Sequence, residues 1–182
     1  MSKRALVTGG GGFVGQWIAR SMLGQGWDVF SAGVGAPAAG ILTDDERRAV
    51  QWLTLDVRSR ADVVAALDAS RPDAIVHLAG ISYLPRADDA PADAWAVNVV
   101  GAVTLLAEVG RRRHAGRLDP RVLVAGSAQQ YGRHDPSELP LAETAEQRPL
   151  TVYAASKAAQ EIAALQAFRA DGVGVIATRS FN

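Results

Sequence analysis

The chain has no cysteine and only three histidines, and of its 19 basic residues just Lys3 and Lys157 are lysines. His77, His114 and His134 are scattered, with no thiol or carboxylate at ligand spacing, so no metal centre is expected. Excess charge of either sign is missing too, with 19 basic residues against 19 acidic, which argues against a nucleic-acid partner. Arg111-Arg112-Arg113 reads as a helix end, where cations suit the dipole, rather than as a binding patch. No apolar run approaches the ~20 residues of a membrane span. Met1-Ser2-Lys3-Arg4 leads straight into an apolar strand, leaving no room for a secretory signal, so a cytoplasmic location is expected.

What is present is a regular alternation. Strands are predicted at Arg4–Val7, Asp28–Ala32, Gln51–Leu55, Ala74–Leu78, Arg121–Ala125 and Val173–Ala177, with helical patterns over Phe13–Leu23, Ala61–Leu67, Asp93–Val109 and Tyr153–Phe168. Strands alternating with helices imply an α/β fold with a parallel sheet covered on both faces. Ala32–Ala49 and Tyr131–Leu150 read as long connections carrying Gly and Pro.

The rare lysine stands four residues after Tyr153, a spacing that puts both side chains on one helical face. Free tyrosine ionises near ~10, so proton transfer near neutrality needs a shift of about 3 units, roughly 4 kcal/mol. An ammonium about 4 Å away at an effective dielectric near 20 supplies that much. Arginine would keep the charge but spread it over a planar fork. Tyr-x-x-x-Lys also occurs on ordinary solvated helices, so other features must decide.

One of these is Thr8-Gly9-Gly10-Gly11-Gly12-Phe13-Val14-Gly15, between a strand and a helix. In that context glycines let the backbone approach a pyrophosphate, which the helix N-terminus then meets. A second is Ser127, which follows an apolar strand and sits four residues before Tyr131-Gly132. A third is the pair of asparagines, Asn98 inside a helix and Asn182 at the end of Arg179-Ser180-Phe181-Asn182.

Together these motifs resemble the extended short-chain dehydrogenase/reductase family, the nucleotide-sugar epimerases, dehydratases and reductases, over essentially all 182 residues. Gly126-Ser127 to Tyr131-Gly132, Leu139-Pro140-Leu141, Pro149, Tyr153 to Lys157, Gln160-Glu161 and Arg179 to Asn182 look most like the GDP-4-keto-6-deoxy-mannose reductases. The resemblance implies a Rossmann-type doubly wound parallel sheet with helices on both faces. It implies an NAD(P)-binding domain over residues 1–182, with a substrate domain beyond, and a homodimer formed through the two longest helices. It makes Ser127, Tyr153 and Lys157 catalytic. Gly9, Gly12, Phe13, Val14, Gly15, Asp56, Val57, Leu78, Ala79, Gly80, Asn98, Tyr153 and Lys157 would hold the coenzyme, with Asn98 supporting the lysine through water. Ser82, Ser127, Gln129 and Asn182 would meet a nucleotide-sugar.

Two departures refine this. The carboxylate that selects NAD by binding the adenosine ribose is replaced by Gly33, which leaves NAD against NADP open with a lean to NADPH. Family dehydratases carry acidic residues after the catalytic Ser or Thr, where this chain has Ala128 and Gln129. An amide cannot serve as that base, so keto reduction or epimerisation remains. A non-catalytic coenzyme sensor is the rival from another class.

Overall fold

The computed structural model describes residues 2–35, 37, 38, 40–82 and 84–181, without the side chains of 84–86. Six parallel strands form one sheet: β1 (Arg4–Thr8), β2 (Asp28–Gly33), β3 (Gln51–Thr54), β4 (Ala74–His77), β5 (Arg121–Ser127) and β6 (Gly174–Ser180). Their order is β3-β2-β1-β4-β5-β6, so the chain winds outward one way from β1 and then the other. The reversal falls between β1 and β4, and the crevice outside the carboxyl ends of those strands is where such sheets bind ligands.

Alternation within each strand builds the two covered faces. In β1, Leu6 enters one core layer with Ile75, Leu105, Val122 and Ala164, while Val7 enters the other with Ala19, Val29 and Val76. The first layer is packed by helices α3 (Arg60–Ser70), α6 (Gly101–His114) and α7 (Val152–Asp171), and the second by α1 (Phe13–Gly24).

Several boundaries differ from the sequence expectation. Leu55 and Leu78 fall just outside β3 and β4, and β5 runs on to Ser127 because β6 stays paired with it as far as Ser127↔Ser180. Val173 is not in β6. Its N–H donates to the Ala167 carbonyl as part of the α7 C-cap, where Gly172 takes a left-handed conformation (φ +67°).

The connection predicted over Ala32–Ala49 contains a short helix, α2 (Asp44–Ala49), started by a Thr43/Glu46 capping box. A further short helix, α4 (Leu84–Asp89), precedes α5 (Pro91–Trp95). The helix expected at Asp93–Val109 begins at Pro91 and ends at His114, passing through a π turn over Ala96–Val100.

That helical run, Pro91–His114, corrects another expectation. It is 24 residues long and apolar enough to span a membrane by length and composition alone. Here Ala94, Asn98, Ala102, Leu105, Leu106 and Val109 are buried within the fold, as in a core helix.

Candidate coenzyme and active site

A cavity of about 1260 Å³ lies across the strand ends at the reversal point. The turn from β1 into α1 forms its floor. Gly9 has φ +68°, and a Cβ there would lie 2.8 Å from the Ala79 nitrogen. A Cβ on Gly15 would sit 2.5 Å from the Gly9 carbonyl oxygen. Glycine at both positions lets the turn, α1 and the loop after β4 close on one another. Gly12 caps α1 without any side chain, which leaves N–H groups of its first turn to face an anion. Gly12, Phe13 and Val14 line the cavity beside them, with Phe13 and Val14 exposed.

Sequence reasoning missed the residue that pins this turn. Gln16 is fully buried and its Nε2 donates to the carbonyls of Gly11 and Ala38, both at 3.0 Å. It therefore ties the glycine turn to the segment after β2. Its partners are five and 22 residues away, so no local pattern announces it.

Asp56, Val57, Leu78, Ala79 and Gly80 all line the cavity. Asp56 does not cap α3, whose N-cap is Ser59. Its carboxylate accepts from Arg58 Nε at 3.0 Å and Nη2 at 2.7 Å, and those bonds hold its pKa below the usual carboxylate range. Arg58 lines the same cavity, as do Gly33, Val34 and Gly35 at the end of β2.

The catalytic candidates come from two elements. Ser127 ends β5, its N–H donating to Gln130 Oε1 at 2.7 Å and its Oγ accepting from the Gln129 N–H at 3.2 Å. Tyr153 and Lys157 lie on α7, started by Thr151, whose side chain accepts from the Ala154 N–H. Both line the cavity with Ala125 and Gly126. Lys157 Nζ donates to the Ala125 carbonyl at 2.7 Å and to Gln160 Oε1 at 2.8 Å, and burial pushes its pKa down to about 8.

Asn98 lies on the π turn, a feature that often marks functional positions. It is fully buried. Its Oδ1 accepts from the Ile81 N–H at 2.7 Å, and its Nδ2 donates to the Ile81 carbonyl at 3.1 Å and to Ser156 Oγ at 2.9 Å. Its side chain thus splices the loop after β4 to α7, and the direct hold on Lys157 comes from Gln160 and Ala125 instead. A Cβ on Gly80 would stand 2.9 Å from Asn98 Oδ1 and 3.7 Å from Lys157 Nζ, so glycine lets the two approach there.

Ser82 is exposed at the cavity wall, Gln129 is exposed beside Ser127, and Asn182 lies outside the described residues. Among the described residues no group of three His, Asp or Glu side chains is gathered for a metal.

Beneath the site His77 is buried, with Nδ1 2.8 Å from Thr8 Oγ1. Burial first, and then the Lys157 charge, push its pKa down to about 3. The Glu161 and Arg179 of the sequence motifs brace Ser127. Glu161 accepts from Gln130 Nε2 at 2.7 Å, Gln147 Nε2 at 3.2 Å and Arg179 Nε at 2.9 Å. The Arg179 guanidinium also lies over the Tyr131 ring.

With this geometry in view, known proteins provide the comparison. A model of the NAD dependent epimerase/dehydratase family matches residues 5–182. The chain belongs to that family. It is 30% identical over 187 residues to the GDP-6-deoxy-D-mannose reductase of Pseudomonas aeruginosa, covering all of this chain and 53% of that protein. To a UDP-glucose 4-epimerase of Streptomyces lividans it is 29% identical over 191 residues, with 100% and 53% coverage. The UDP-glucose 4-epimerase of Brucella ovis, solved in complex with NAD, superposes with a TM-score of 0.84 at 26% identity, over 100% of this chain and 52% of that one. The chain thus spans about half the length of the curated relatives it matches. Its fold is the Rossmann-like α/β fold of this family, whose members are NAD-dependent enzymes acting on nucleotide sugars.

Proposed function

We propose that the whole protein is a 4-keto-6-deoxy-sugar reductase acting on a nucleotide-diphosphate sugar. The observation that carries this reading is Lys157, a buried ammonium with no carboxylate at ion-pair distance among the described residues, one helical turn from Tyr153 at the cavity wall. A nicotinamide coenzyme suits the glycine cradle, the uncapped α1 N-terminus and the cavity volume. When bound, it supplies the hydride that reduces the sugar carbonyl carbon.

This chain's residues do the rest. Gly9, Gly12 and Gly15 would admit the pyrophosphate, and Asp56 and Val57 would hold the adenine. Ser127 Oγ, which accepts from the Gln129 N–H and donates to no acceptor among the described residues, hydrogen-bonds the reacting oxygen. Tyr153 donates its phenolic proton to that oxygen as general acid, completing a two-electron reduction of C=O to CH–OH. Lys157 sets a positive charge one helical turn from the phenol and would orient the coenzyme ribose, with Asn98 acting on it through water. Ser82, Gln129 and Asn182 meet the sugar nucleotide.

Ala128 and Gln129 support reduction over dehydration, since neither can take a proton from the carbon beside a carbonyl. The missing carboxylate at Gly33 supports NADPH, although the UDP-glucose 4-epimerases of Brucella ovis and Thermus thermophilus were solved with NAD. The second reading is an epimerase, favoured by the similarity to UDP-glucose 4-epimerases. A panel of nucleotide-sugars incubated with the full-length protein and reduced coenzyme tests the proposal. Consumption of a 4-keto-6-deoxy sugar supports it, and conversion of UDP-glucose alone favours the epimerase.

A further inference from the structure

A buried glutamine whose amide nitrogen has no partner calls for an explanation, because a core aliphatic residue would avoid the desolvation. Gln160 is such a residue, fully buried on α7 with no partner for Nε2 among the described residues. Its Oε1 has one partner, Lys157 Nζ at 2.8 Å. The Ala125 carbonyl takes a second ammonium N–H at 2.7 Å, and the third remains for the cavity, which Lys157 lines.

Both of these acceptors are neutral. The carboxylate next in sequence, Glu161, is turned away to Arg179. The other titratable groups around the lysine are His77 of β4, neutral above about pH 3, Tyr153 on α7 itself, and Asp56, its partner Arg58, and Asp93 elsewhere on the cavity wall. Among the described residues no carboxylate pairs with Lys157, and burial is what lowers its pKa. An uncompensated charge in this position projects its full field onto the phenol, whereas a carboxylate at position 160 would cancel much of it.

Resting on the reductase reading above, we infer that Gln160 is a positioning residue, holding Lys157 by a neutral acceptor so that the ammonium is fixed in place while its charge stays available to Tyr153.

The test uses the full-length protein and the near-isosteric Gln160→Glu, with Gln160→Met as a second variant. Lysine-selective NMR of the coenzyme-free protein, assigned by signal loss in Lys157→Met, reads the Nζ titration directly. Gln160→Glu should raise the Lys157 pKa by about one unit or more. It should also move the alkaline limb of the pH–rate profile upward, because a carboxylate beside the ammonium weakens the positive field in the site. Gln160→Met should lower kcat about tenfold or more while leaving coenzyme affinity within about threefold, the split expected when a group acts in the chemical step.

Titrations and profiles unchanged in both variants would overturn the inference. So would a wild-type Lys157 titrating at the ordinary ~10.4, a measurement that needs no substitution. Tyr153→Phe, run alongside, separates the two ideas. Retained turnover there defeats the proposed reaction, whereas an inactive Tyr153→Phe with an unaltered Gln160→Glu profile defeats only the role of Gln160.

Discussion

Tyr153 is half-buried at the cavity wall, one turn from an ammonium, and it carries the proton in the account above. General acids contribute about 10²- to 10⁴-fold to turnover, so Tyr153→Phe should lower kcat by that range while coenzyme affinity, measured by fluorescence titration, stays near wild type. His77 gives a prediction about stability. Unfolded histidine takes a proton near 6.5, whereas the buried ring stays neutral down to about 3. The unfolded chain therefore binds more protons between these values, and stability that is fully present above pH 6.5 is lost as pH falls through that window. Between pH 7 and 4.5 the wild type should lose about 2 kcal/mol more than His77→Gln in urea unfolding, and equal losses would contradict this. The Tyr153/Lys157 pair was legible because both residues lie within one helical turn. Gln16 and His77 were not, since their partners lie in other segments, and Gln160, although named in the motif, revealed its role only through its burial beside Lys157.

At the level of elements, the strand and helix alternation was readable, and α2 carried a Thr43-x-x-Glu46 signature that a closer reading of caps would find. The π turn and the extension of β5 and β6 depend on packing and pairing that no local spacing encodes. The Glu161–Arg179 pair fastens α7 to β6, and through Gln130 it reaches the Ser127 N–H. Both side chains are largely buried, at 8% and 15% exposure, so removing one partner leaves a poorly solvated charge. Glu161→Ala should therefore cost about 3 kcal/mol or more by denaturant unfolding. The double change Glu161→Leu with Arg179→Met should recover much of that loss. A single change costing nothing would mean that the clamp is ornamental.

At the scale of the whole fold, the doubly wound order that the family resemblance implied is present, and its reversal between β1 and β4 puts the crevice beside the glycine turn. Coenzyme choice belongs to this scale, because it depends on β2, the turn and the loops around one cavity. A Cβ on Gly33 would meet nothing within 4 Å, so Gly33→Asp should be accommodated. It should shift the NAD-to-NADP affinity ratio toward NAD, and an unmoved ratio would mean that position 33 does not face the ribose. Coenzyme stoichiometry reports the direction of hydride flow most directly. Full-length protein, a GDP-4-keto-6-deoxy sugar and reduced coenzyme should yield one oxidised coenzyme per reduced sugar, at a rate about 10²-fold or more lower in Tyr153→Phe. Sugar conversion without net coenzyme oxidation, or undiminished oxidation by Tyr153→Phe, would contradict the account.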